Sequence, residues 1–235
     1  MEKSIGQEVY EQISSTWCFM HVGLAIDSLV CKSFKPQVPD FISRGHHFDS
    51  RIINHFWPQK DTNQNQTYFG SHIFYLSARE IFSGIVEGLK NKDDDILTFR
   101  EFVEKMLKDQ YDDFNIIINF CRNVLSHNVT EQHRLLSSDF ESQKKYLIKH
   151  KENLYVNLNI EYSKVFSPKY SHQQDTFTIA FDFADVSEDK FLNDFISPTQ
   201  LMQLVVLSAG LAETYINTRA HCHIEEQREK AKKKV

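Results

Sequence analysis

The stretch DFNIIINFCRNVLSHN, residues 113–128, decides how the chain is read. Most of it is apolar enough for the core of a helical protein. Asn115, Asn119, Arg122, Asn123, Ser126 and His127 interrupt that run. Their steps of four, three, one, three and one put them along a single stripe of a helix with about 3.6 residues per turn. The spacing predicts a helix over roughly 113–126, with Asp112 or Asp113 able to cap its start. The neighbouring segment 99–108 offers a contrast. Its polar side is Arg100, Glu101, Glu104, Lys105 and Lys108, an ordinary ion-pairing face toward water. The stripe on 113–127 holds no Lys or Glu, only amides and a hydroxyl with one Arg and one His. Such residues suit a cleft or an interface. They equally suit a narrow wet face or a satisfied buried network.

Spacing within the stripe sets its geometry. Asn123 and His127 are four apart, so the amide can reach the imidazole and fix its tautomer. Arg122 and Ser126 stand in the same relation. Arg122 and His127 are five apart, about 140° around an ideal helix. They converge on one ligand only where the helix ends at His127, and the following NVTEQ favours such an end.

Outward from this stretch the chain is mainly helical. Residues 4–33 form a long helix through Ile5, Val9, Ile13, Trp17, Met20, Leu24 and Leu29, which FKPQVPD terminates because proline cannot continue it. A short helix is expected at 49–57, then a polar loop, PQKDTNQNQT. Residues 68–91 form the next helix, with Phe74, Leu76, Ile81, Ile85 and Leu89 inward. Thr98 and Glu101 make a capping box for the segment after it. The period then changes from helical to two. NLYVNLNIEY alternates Leu154, Val156, Leu158 and Ile160; TFTIAFDFADV alternates Phe177, Ile179, Phe181 and Phe183. Both read as half-buried strands, so an antiparallel pair is inserted near 150–185. Ser197 and Pro198 open a last helix. Residues 224–235 form a charged tail.

Composition narrows the function. The chain has 235 residues, 41% hydrophobic and 25% charged, with a formal net charge of −5. That is ordinary for a globular protein and long enough for one sizeable core. A net negative chain does not grip long duplexes by charge alone, so any nucleic-acid contact is local. Only 7 Gly and 5 Pro argue against a turn-rich barrel or sandwich. There is no signal segment or apolar run of membrane-spanning length, and Cys18, Cys31, Cys121 and Cys222 form no CxxC pair. Reduced thiols in a cytoplasm are the expectation, with no membrane partner. His46, His47 and His55, and His221, Cys222 and His223, lack the paired spacing of a zinc site and read as surface clusters. No metal and no cofactor is expected. Glycine-rich phosphate loops, GxSxG and HExxH are absent from the sequence.

RNVLSH, Arg122 to His127, resembles the Arg-x4–6-His signature of HEPN domains, in which the residue after Arg is often Asn, Asp or His. Asn123 matches that position. The resemblance covers about 68–130 and the flanking long helices. It implies an HEPN-like antiparallel helical bundle, with the strand pair as a decoration. It also implies a metal-independent endoribonuclease acting on single-stranded RNA. Arg122 and His127 would be catalytic, with Asn123, Ser126 and Asn119 supporting them. The expected partners are RNA, a second copy of the chain forming a composite site, and an antitoxin or defence-system protein. The role would be that of a toxin or anti-phage factor. The competing expectation is a catalytically inactive, all-helical nucleotide-binding or protein-interaction module.

Overall fold

Apolar residues at helical spacing make the first element, α1 (Ile5–Cys31), which buries Val9, Ile13 and Met20. The computed structural model describes residues 5–31, 41–43, 46–48, 68–90, 97–127, 133–166 and 176–232. After α1 comes a pair of three-residue strands, β1 (Phe41–Ser43) and β2 (His46–Phe48), antiparallel with Phe41 opposite Phe48. The helix expected at 49–57 and the polar loop after it lie outside the described residues. Helix α2 (Tyr68–Lys90) buries Phe74, Ile81, Ile85 and Leu89, whereas Leu76 is only half-buried. Helix α3 (Phe99–Leu107) starts at the expected capping box: Glu101 N–H donates to Thr98 Oγ1 at 3.2 Å and Thr98 N–H to Glu101 Oε2 at 3.0 Å. A short 3-10 turn (Lys108–Gln110) leads into α4 (Tyr111–His127).

Then follow α5 (Ser137–Lys151), β3 (Tyr155–Glu161), the one-turn α6 (Tyr162–Val165), β4 (Thr176–Asp182), two 3-10 turns and α7 (Pro198–Lys232). The protein is mainly α with two small antiparallel two-stranded sheets, β1–β2 and β3–β4. Among the described residues no helix is long and apolar enough to cross a membrane.

Backbone proximity divides the chain into two units, Met1–Trp17 with Ala78–Val235, and Cys18–Ser77. In the second unit, Gly23 and Gly70 leave no room for a side chain against Ile73 and Asp27. In the first, Gly88 does the same against Phe99, where an added Cβ would stand 2.7 Å from the ring. Phe99 in turn meets Tyr215 of α7 edge-on, with ring centres 5.2 Å apart.

The sheet covers α4. β3 and β4 pair from Tyr155 opposite Asp182 to Glu161 opposite Thr176. The expected alternation holds inside the strands: Val156, Leu158, Ile160, Phe177, Ile179 and Phe181 are buried. Leu154 and Phe183 fall just past the strand ends, where Phe183 N–H donates to Leu154 O at 2.9 Å, and Phe183 remains fully buried. Phe120 of α4 packs on Phe181 and Phe183, with ring centres 5.8 and 5.3 Å away.

Three features depart from the sequence reading. Helix α5 was not expected at all. Its buried apolar positions, Phe140 and Leu147, are few, and the rest of its surface is mostly polar or charged. Nor was the β1–β2 pair, whose strands of three residues are too short to show a period. Helix α4 begins at Tyr111, continuous with the 3-10 turn, so neither Asp112 nor Asp113 caps it; Asp113 is buried and pairs with Lys151 at 2.7 Å. The charged tail is helical as far as Lys232, as part of α7. At the start of that helix the expected cap is a reciprocal one. Ser197 Oγ accepts from Gln200 N–H at 3.3 Å, and Gln200 Oε1 accepts from Ser197 N–H at 2.9 Å.

Candidate functional site

Helices α4 and α5 run antiparallel. Lys151 meets Asp113 at one end of the pair, and Asp139 meets Asn123 and His127 at the other. The entry to α5 is fixed by strand-like bonds between 133–135 and 190–192: Leu135 N–H to Lys190 O and Leu192 N–H to His133 O, both 3.0 Å. Asp139 lies in the first turn of α5. Its Oδ2 accepts Leu136 N–H at 2.9 Å, and Leu136 O accepts Asp139 N–H at the same distance. The carboxylate thus satisfies an orphan donor at a helix start, where the helix dipole also favours negative charge.

The other oxygen, Asp139 Oδ1, is fully shielded from water and accepts no hydrogen bond among the described residues. It faces His127 Nε2 at 3.7 Å. The two side chains differ sharply in exposure, 50% for His127 and 0% for Asp139. Burial holds the Asp139 carboxyl above the ordinary aspartate range, while Leu136 N–H and His127 pull it back. An exposed imidazole set against a buried carboxylate suits proton transfer. The carboxylate places a negative charge beside the ring, and the ring's other nitrogen remains for a ligand.

Each residue of the stripe has a definite place. Helix α4 is described as far as His127. Arg122 is half-buried, and its Nε is shielded from water without a hydrogen bond among the described residues. A guanidinium with a shielded, unmet donor gains from an incoming anion. Ser126 Oγ donates to the main-chain oxygen of Arg122 at 2.7 Å, within its own helix. Asn119 Nδ2 donates to Asn115 O at 2.8 Å and to Asn115 Oδ1 at 3.0 Å. Asn123 does not orient His127 directly. Its Nδ2 donates to the main-chain oxygen of Asp139 at 3.3 Å, so it fixes the residue that faces the histidine. Asp139 is the member that sequence reasoning missed. Its signal was Ser137, Ser138 and Asp139 ahead of Phe140, Gln143 and Leu147, a helix start by residue type and spacing.

No family model matches this sequence, and neither does a curated protein or a solved structure. The site therefore stands on its own chemistry. Cys121, on the same helix, is fully buried and burial pushes its thiol well up, so it is no nucleophile. Among the described residues no group of three or more His, Cys, Asp or Glu side chains could hold a metal ion. His55 and the side chains of His46, His47 and His223 lie outside that description. The apolar flanks of α4, Ile116, Ile118 and Phe120, are covered within the chain at 4%, 0% and 0% exposure. They give no reason for a second copy to pack there.

Proposed function

We propose that this chain is a metal-independent endoribonuclease of the HEPN type, with Arg122 and His127 as its catalytic pair. The observation that carries the reading is the half-exposed His127 at the end of α4, set 3.7 Å from a buried carboxylate oxygen of Asp139. RNA brings its own nucleophile, so the protein needs few parts. A histidine takes the proton from the 2′-OH. The freed oxygen attacks the adjacent phosphorus, the bond to the 5′ oxygen breaks, and that oxygen takes a proton from an acid. The products are a 2′,3′-cyclic phosphate and a 5′-OH. Arg122 offsets charge on the non-bridging oxygens through paired N–H donors. Single-stranded loops are the substrate class, because their backbone can adopt the in-line geometry and their bases are free.

At the end of α4 one protomer supplies one exposed histidine, yet the reaction uses both a base and an acid. We propose on that ground that two copies join their α4 ends across a two-fold axis. Sedimentation at micromolar protein should show a dimer whose dilution lowers specific activity; a fully active monomer refutes it. A toxin or anti-phage role, with an antitoxin or defence-system partner, belongs to the same reading.

The test is purified protein with total RNA and a chelator. Cleavage should persist, and His127→Ala should lower it about 10²–10⁴-fold with an unchanged melting curve. Arg122→Lys should also fail, since a point charge cannot reproduce the bidentate fork. A second reading, a helical module that binds without cutting, is favoured by the bonds internal to the stripe, Asn119 to Asn115 and Ser126 to Arg122. Intact RNA with wild-type protein would select it.

A further inference from the structure

Helix α5 carries a second surface that leads away from His127. Asp139 and Tyr146 are seven residues apart, and His150 follows four later, so all three share one side of the helix. Tyr146 is 37% exposed, and its ring lies on that of His150 with centres 4.5 Å apart at 31°. Beside this pair stand Lys145 and Lys149, both exposed, four apart, and in no ion pair among the described residues. The other two lysines of the segment are occupied. Lys144 Nζ donates to Val186 O and lies over the Phe140 ring, and Lys151 pairs with Asp113. The free cations are thus confined to the aromatic side. Exposed Glu141, four residues before Lys145, and exposed Glu152, three after Lys149, form no ion pair with either lysine.

We propose that this surface is a track for single-stranded RNA, delivering the strand to His127. The proposal rests on the ribonuclease reading. Two unpaired ammonium groups match a phosphodiester backbone, and an exposed aromatic pair offers a stacking platform that any base can use. At about 1.5 Å per residue, the platform begins about 10 Å from the level of Asp139 and ends about 17 Å from it. A short segment of strand bridges that distance while its scissile phosphate sits at His127. The whole chain's net charge of −5 keeps the grip local.

The experiment measures fluorescence anisotropy of a labelled 2′-O-methyl RNA 12-mer, which has no nucleophile and stays intact. Wild-type protein, Lys145→Glu/Lys149→Glu and Tyr146→Ala are titrated across a salt series. In parallel, cleavage of an unmodified RNA and of a dinucleoside monophosphate, too short to reach the track, is followed. The lysine variant should bind at least tenfold more weakly, with a salt slope smaller by about 1.4, the value for two lost single-strand phosphate contacts. Tyr146→Ala should bind about fivefold or more weakly with an unchanged slope, and Tyr146→Phe should restore binding. All variants should cut the dinucleotide at the wild-type rate. Unchanged affinity and slope in the variants overturn the track, whether or not the wild type cuts RNA. Equal binding of heparin, with Tyr146 indifferent, also overturns it and leaves a charged patch. RNA that binds through the track but is never cut would remove the ribonuclease reading and keep the track.

Discussion

Asp139→Asn separates the charge beside His127 from the fold around it. The amide keeps an oxygen for Leu136 N–H, and the main-chain oxygen that Asn123 uses is untouched. What is lost is a negative charge 3.7 Å from the imidazole. Two unit charges about 4 Å apart attract by about 1 kcal/mol in bulk water and about 4 kcal/mol at an effective dielectric constant near 20. His127 is 50% exposed, so solvent screening holds the value near the lower figure. About 1 kcal/mol corresponds to about fivefold in rate. The plateau rate should therefore fall about fivefold. Stability should move the other way. Burial raises the Asp139 carboxyl, so its contribution is fully present below the ordinary value of about 3.9 and is lost as pH rises through the raised native value. Asparagine does not ionise, so the variant's urea midpoint near neutral pH should equal or exceed that of the wild type. Initial rates on a fluorogenic RNA from pH 5 to 9, with urea melts at pH 7, measure both. An unchanged plateau rate together with a lowered midpoint would make Asp139 a helix cap and nothing more.

Three further outcomes are expected. Burial pushes His133 down to about 4, against an ordinary value of about 6.5, so the stability it contributes is present above that ordinary value and lost as pH falls through the window between them. Urea midpoints should drop by the equivalent of about 3 kcal/mol across that window, and His133→Asn, which tolerates the positive φ of 41° there, should flatten the slope; an unaltered slope refutes the assignment. Lys151→Ala strands the Asp113 carboxylate, whose side chain is only 12% exposed, and should cost about 2 kcal/mol, largely recovered by adding Asp113→Asn; additive losses in the double variant would contradict the pairing. Phe120→Ala removes a fully buried ring from between Phe181 and Phe183 and should cost about 3–5 kcal/mol in denaturant melts; a loss under about 1 kcal/mol would mean that the hairpin does not rest on α4.

The elements most legible in the sequence are those whose burial is one-sided. Strand residues Val156, Leu158 and Ile160 alternate with exposed Tyr155, Asn157 and Asn159, so period two is written directly. Helix α3 carried both a capping box and an ion-pairing face, and its Arg100–Glu104 pair stands at 2.7 Å. Helix α5 was missed for the opposite reason. It buries one narrow line, Asp139, Phe140, Gln143 and Leu147, and two of those four residues are polar. An apolar period cannot reveal a helix whose inward face is half hydrogen-bonding groups. The start of α4 shows a different limit. An Asp before an apolar run is normally a cap, but here the backbone runs on from a 3-10 turn, and Lys151, thirty-eight residues later, decides where Asp113 lies.

The candidate site divides along the same line. The stripe on α4 was visible because all its members lie on one element, but its division of labour was not. Asn115, Asn119 and Ser126 make bonds within the helix that any isolated helix could make, and they leave little free to act on a ligand. Asn123 reaches across to α5, and His127 does the same. Once those are assigned, the side chains with unmet capacity are Arg122, through Nε, and the His127–Asp139 pair. Sequence spacing could place Arg122 and His127 together only on condition that the helix stopped at His127. It could not place Asp139, twelve residues beyond His127 on a helix of opposite direction. The polar stripe therefore answers two demands at once. Its middle is held by the helix itself. Its end gains a partner only from elsewhere, because the carboxylate 3.7 Å from the exposed imidazole comes from α5 and not from the helix that carries the stripe.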